Sequence, residues 1–213
     1  MSDATSDTLP DALPHSLCTR LTAMYAEPHR HYHTLAHVHA LQRWLGHWQH
    51  LAHRPLPIAA AIWFHDAVYD THRHDNEERS AALARDELGA IGWPLESIEQ
   101  VAALVLATQH HDASARNPAT DDAAMQDANL ADTWLFLDLD LSVLAQEAAV
   151  YDRYSADVRA EYAWVDAARY RSGRAAVLRS FIDRPQLYRT PELHAAWEAA
   201  ARANLARELS ALA

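Results

Sequence analysis

The sequence contains no lysine. All 18 of its basic residues are arginine, so any cation it offers a phosphate is a planar guanidinium able to bond two oxygens at once. It has one cysteine, Cys18, which excludes a disulfide within the chain and a thiolate zinc cage. Four glycines in 213 residues are few for the tight turns of an all-β fold, and the abundant alanine favours helix. Long apolar runs are also missing. The strongest, near 58–64 and 101–107, fall far short of the roughly 20 residues a membrane-spanning helix needs. Positive charge is not in excess: the formal net charge of -11 argues against a nucleic acid polymer as partner. The opening MSDATSDTLPDALPHS has neither a basic region nor an apolar one, so no signal peptide is expected and a cytoplasmic location is.

What is present has the balance of a globular protein, with half the residues hydrophobic and 22% charged. Residues 1–14, polar and with two prolines, read as a flexible tail. Residues 15–213 read as one all-α domain, with a core over about 30–150 and a C-terminal helical extension over about 160–210. Apolar residues at three- and four-residue steps predict helices over 17–25 and 34–51. A helix over 57–69 is apolar nearly all round and belongs at the centre. One over 76–89 has Asp75 and Glu78 spaced as a capping box, and one over 94–111 is entered at Pro94. The polar stretch 112–128 reads as a surface loop. Helices are expected over 145–156, 160–184 and 191–210. The seven tryptophans read as core anchors, and Arg169, Arg171, Arg174 and Arg179 as a mostly solvated face.

Fifteen histidines make a metal site worth seeking. His65 and Asp66 adjoin inside the apolar helix, where an unpaired charge costs several kcal/mol. Neighbours on a helix are about 100° apart, so both can reach one ion at its edge. His33 and His37 share a face at i, i+4. His110, His111 and the Asp138–Leu139–Asp140 run also put His or Asp where core residues would be expected. Four such stretches in one small helical domain point to a common divalent ion (Mn, Fe, Zn, Ni, Co or Mg). Asp138 and Asp140 lie about 200° apart on a helix, so one faces the ion and the other does not; both stay candidates.

These residues resemble the pattern of the HD-domain metal-dependent phosphohydrolase superfamily: a His, a His-Asp pair and a distant Asp, on helices around one metal. The extended segments HRHYHTLAHV (30–39), WFHDAVYD (63–70), DNEERSA (75–81), FLDLDLSVL (136–144), LYRTPEL (187–193) and ARANLAREL (201–209) are similar to a bacterial branch of that superfamily with no settled substrate. The resemblance implies an HD-domain-like helical array with metal ligands His37, His65, Asp66 and either Asp138 or Asp140. It implies hydrolysis of a small phosphorylated substrate, a phosphomonoester or nucleotide, by a metal-activated water. Proton transfer would fall to Asp66, Asp70 or Glu77. His33, His110 and His111 would support the ligands or bind a second metal, and a homodimer stays open. Some members carry a Glu three residues after the Asp; here that position is Tyr69. Two rival readings are a non-catalytic nucleotide- or partner-binding module with a structural metal, and a two-iron oxygenase that would need His110 and His111 as ligands.

Overall fold

A computed structural model describes residues 12–111 and 123–212. Among them are nine α-helices: α1 (His15–Met24), α2 (Leu35–Trp48), α3 (Pro55–Phe64), α4 (Asn76–Ala90), α5 (Leu95–Ala107), α6 (Ala123–Asp140), α7 (Ala148–Glu161), α8 (Ala167–Ile182) and α9 (Pro191–Leu212). Short 3-10 turns follow α2 at Gln49–Leu51 and α6 at Leu141–Ala145, and there is no strand among the described residues. The all-α class expected from the sequence is what the chain adopts. Among the described residues no helix is long and apolar enough to cross a membrane.

The core forms around α3. Pro55 occupies its first turn, where a missing N–H costs nothing, and Ile58, Ala59, Ala60, Ala61, Ile62 and Phe64 are all buried. Helices α2, α4, α5 and α6 all pack on it. Three alanines in a row let these neighbours approach closely. Helices α4 and α5 form a hairpin whose turn passes through Gly92 at φ 78°, a left-handed conformation that glycine takes without a side-chain clash. Helix α9 lies across α8 and the 141–145 turn and adds Leu193, Trp197, Ala201 and Leu205 to the same core.

Three acids on α6 have three different tasks. Asp132, fully buried, accepts the backbone N–H groups of His53 and Arg54 at 2.7 and 2.9 Å and so fixes the start of α3. Asp138 accepts those of Arg189 and Thr190 at 3.0 and 2.7 Å and fixes the start of α9. Asp140 is the one left to face the histidines. The C-terminal helices are clamped by a buried ion pair: Arg174 of α8 holds Glu208 of α9 through two bonds of 2.8 and 2.9 Å, and Ser155 of α7 donates to the same carboxylate.

Several boundaries differ from expectation. Residues 1–11 of the expected tail and 112–122 of the expected loop lie outside the described residues; Leu13 is already buried in the core, and from Ala123 the chain is helical. Helix α3 stops at Phe64 rather than at 69. The 160–184 helix begins only at Ala167, where Asp166 accepts from the N–H groups of Ala168 and Arg169, a cap worth about 1 kcal/mol. Asp75 makes no side-chain cap, because Arg73 takes both its oxygens at 2.6 and 2.7 Å. Arg174 is buried, not solvated, and Trp164 is 54% exposed, stacked on His72 rather than anchored in the core.

Candidate metal centre

His65 is the last residue of α3 in helical conformation, its N–H still bonded to Ala61. Asp66 follows just beyond the helix. The pair therefore stands at a helix C-terminus rather than inside a helix. That end exposes carbonyls without helical partners and carries the negative pole of the helix dipole. Arg30 answers both: its guanidinium, buried between Tyr25 and Tyr69, donates to the carbonyls of Asp66 (2.7 Å), Ala67 (2.9 Å) and His33 (3.1 Å). One side chain thus joins the segment before α2 to the segment after α3.

From the first turn of α2, His37 points its Nε2 at Nε2 of His65, 3.2 Å away, and at Oδ1 of Asp140, 3.0 Å away. Oδ1 of Asp140 is 3.6 Å from Nε2 of His65. His37, His65 and Asp140 form a group that could hold a metal ion. Oδ2 of Asp66 is 3.0 Å from His65 Nε2 and 3.9 Å from His37 Nε2, so it borders the same space. His111 brings Nε2 to 3.0 Å from Oδ2 of Asp140, on the side away from His37. It does so from a left-handed backbone, φ 47°, which a non-glycine residue adopts at some cost; Arg184 holds the carbonyls of His110 and His111, both at 3.1 Å.

The donor set fits a cation. His65 donates its Nδ1–H to the carbonyl of Ile62 at 3.0 Å, which leaves Nε2 as the lone-pair nitrogen of the neutral ring. Two imidazole nitrogens this close, flanked by two carboxylates, favour positive charge between them. Without a metal a proton is what they share. Burial opposes protonation at both rings, and it prevails at His37, whose pKa is lowered. At His65 the charge of Asp66 and its hydrogen bond overcome burial and push the ring up to about 9. Burial also works against charge on the two acids, but the histidines hold both Asp66 and Asp140 below the usual carboxylate range. Imidazole and carboxylate together suit the borderline divalent ions.

The group is closed on one side and open on the other. The side chains of His37 and His65 are 4% and 1% exposed, against 19% for Asp66, 23% for His33 and 24% for His111. Solvent reaches the group across the last three.

The structure sorts the remaining candidates. Asp138 is not with the group: its carboxylate is taken by the amides before α9, and burial outweighs those bonds to push it up to about 6. Asp70 is half-buried and turned to its own loop, where Oδ1 accepts from the backbone and ring of His72. Glu77, in the first turn of α4, is half-buried; burial raises its pKa, Asp66 adds to the rise and His111 opposes it, so it lies within electrostatic reach of the open side. His110 is exposed and reaches none of the group's atoms among the described contacts; it lines a cavity of about 250 Å³ beside His111.

His33 is positioned by a residue that the sequence did not single out. Glu161, at the end of α7, takes His33 Nδ1 at 2.7 Å on one oxygen and the backbone N–H groups of His31, Tyr32 and His33 on the other. Tyr69 donates its hydroxyl to the same carboxylate at 2.7 Å. Burial opposes charge on both partners, yet Asp66 and Glu161 raise His33, and His33 brings Glu161 down to about 2. Nothing local in the sequence pairs residues so far apart. Arg30 and Glu161 join the site only through the fold.

Compared with known proteins, the chain matches no family model, no curated protein and no solved structure. The fold and the donor group define an all-helical protein with a histidine–aspartate group able to hold a metal ion.

Proposed function

We propose that the chain is a metal-dependent phosphohydrolase of the HD-domain type, acting on a small phosphate ester at the group formed by His37, His65, Asp66 and Asp140. The observation that carries this reading is the convergence of two imidazole Nε2 atoms and two carboxylates beside an open face. A structural brace would be closed by protein ligands; an open face leaves room for water and substrate. A divalent ion held there would polarise a phosphoryl group and make water more acidic.

The chain's own residues supply the rest. Asp140, between His37 and His111, and Asp66, beside His65, bring the negative charge that holds a cation. Asp66 and Glu161 raise the pKa of His33, and its Nε2 is on the ring edge away from Glu161. We assign it to donate to a leaving oxygen. Glu77, whose pKa is raised by burial and by Asp66, is the carboxyl we assign to take a proton from the attacking water. Asp70, turned to its own loop and held by His72, is left out of the chemistry.

The test is elemental analysis of purified protein, then hydrolysis of p-nitrophenyl phosphate and a nucleotide panel with each candidate ion, beside Asp66→Ala and Asp140→Asn. Ion-dependent phosphate release that both variants lose is the expected result. Release that survives in either variant, or none with any ion, would overturn the proposal.

A further inference from the structure

A groove of about 540 Å³ runs between α2, the 141–145 turn and α7. It is not the open face of the metal group. His37 and Tyr32 are in its wall, their rings 4.9 Å apart, but His33, His65, Asp66, Glu77, His111 and Asp140 are not. Its volume falls within the roughly 300–1,000 Å³ of small-molecule sites.

Two features of the wall specify an occupant. The first is charge. Arg43 comes from α2 and Arg153 from α7; both are exposed, and neither has a hydrogen-bond or ion-pair partner among the described residues. Asp157 stands one turn along α7 from Arg153, in the same wall, and does not pair with it. In a chain of net charge -11, two guanidiniums in one cavity wall with no protein partner among the described residues are available to hold an oxyanion. The second feature is a set of braced aromatic rings. Tyr154 meets Tyr32 edge-on at 4.6 Å, and its hydroxyl and ring face are held by the buried Arg174. Trp44 meets Trp197 edge-on at 5.0 Å. Rings fixed from behind lose little freedom when a flat ligand covers them.

We propose that this groove, which meets the metal group only at His37, is a second small-molecule site, and that it takes a planar aromatic ring carrying a phosphate, as in a nucleoside monophosphate. Arg43 and Arg153 hold the phosphate, and Trp44 and Tyr154 cover the ring. A bare phosphate would leave the aromatic wall wet, and a neutral aromatic would leave the arginines unanswered. The proposal does not depend on the hydrolytic reading, because the occupant is bound there and not cleaved.

The test is calorimetric titration of the full chain with AMP, GMP and CMP, and with inorganic phosphate as the ring-free control. The measurement is repeated in Asp140→Asn, which disables the metal group. The expected result is nucleotide binding that Asp140→Asn leaves within about threefold, that Arg43→Ala/Arg153→Ala weakens at least about tenfold, and that exceeds phosphate binding by at least about tenfold. Trp44 should report the same event by fluorescence, and Trp44→Leu should remove that signal. Both arginines are exposed, so the double variant should keep its thermal midpoint; if it does not fold, the single changes Arg43→Gln and Arg153→Gln carry the same expectation. No binding of any nucleotide at millimolar concentration overturns the proposal. So does binding that Asp140→Asn abolishes or that the arginine changes leave intact.

Discussion

Nδ1 of His33 stands 2.7 Å from Oε2 of Glu161, 128 residues further along the chain. The other oxygen of Glu161 gathers three consecutive amides, so one buried carboxylate sets both the ring and the approach to α2. Glu161→Gln replaces an oxygen by an NH2 group that cannot accept. It should destabilise the fold by on the order of 3 kcal/mol and lower the pKa of His33. Urea unfolding reads the first effect and histidine NMR titration the second. An unchanged His33 pKa would mean that Asp66 and Asp140 maintain it without Glu161.

The same pair sets a pH dependence with two limbs. Glu161 has a folded pKa of about 2, below its ordinary 4.5, so the unfolded chain binds more protons between those values. Its contribution is present above about pH 4.5 and lost as pH falls through about 2. His33 has a raised folded pKa, so its contribution is present below the ordinary histidine value and lost as pH rises through the raised one. Stability measured against pH should decline on both sides, and Glu161→Gln should flatten the acid limb.

Asp138 and Asp140 should separate under the same substitution. Asp140→Asn should abolish ion binding and leave the fold in place, because its partners are the site histidines. Asp138→Asn should keep the ion but cost about 1–3 kcal/mol, since its NH2 group would face an amide N–H before α9. Bound metal per chain and the thermal midpoint, measured on both variants, give the comparison.

Ion binding should release protons. His65 is protonated at neutral pH in the ion-free group, with a pKa of about 9, and must lose that proton to become a ligand. Calorimetric titrations in buffers of different ionisation enthalpy should report release of about one proton per ion at pH 7 and weaker binding as pH falls. Equal heats in all the buffers would show that no proton leaves the group on binding and would overturn this expectation.

Much of this was legible in the residues themselves. The apolar run at 58–64 marks the central helix, and His37, His65, Asp66 and the late acids stand out because each occupies a place where the pattern asks for an apolar side chain. Helical spacing separates Asp138 from Asp140 but cannot say which faces the histidines. That is decided by the amides of Arg189 and Thr190, some fifty residues later. The end of α3 was misplaced for a similar reason: Arg30, from before α2, donates to the carbonyls that a longer helix would have bonded internally. The expected cap at Asp75 failed to Arg73, two residues earlier, which competes for the same oxygens. Local pattern reports which residues are unusual, and contacts distant in sequence decide what they do.

Arg174 and Glu208 show what those distant contacts cost to disturb. Arg174→Ala leaves a nearly buried carboxylate with only the hydroxyls of Tyr151 and Ser155, and should destabilise the chain by about 3–5 kcal/mol. Arg174→Met with Glu208→Leu should recover much of that loss in chemical denaturation, because no charge is then stranded.

The positions of donors and supports along the chain have a consequence for synthesis. His37, His65, Asp66 and Asp140 are all made before residue 141, whereas Glu161, the Arg174 clamp and the amides that turn Asp138 aside come after residue 160. A growing chain therefore has every donor exposed to the cell's ions before it has the frame that aims them. An ion captured at that stage meets loose side chains and is selected by affinity alone; one admitted after the last helix docks must also suit the finished geometry.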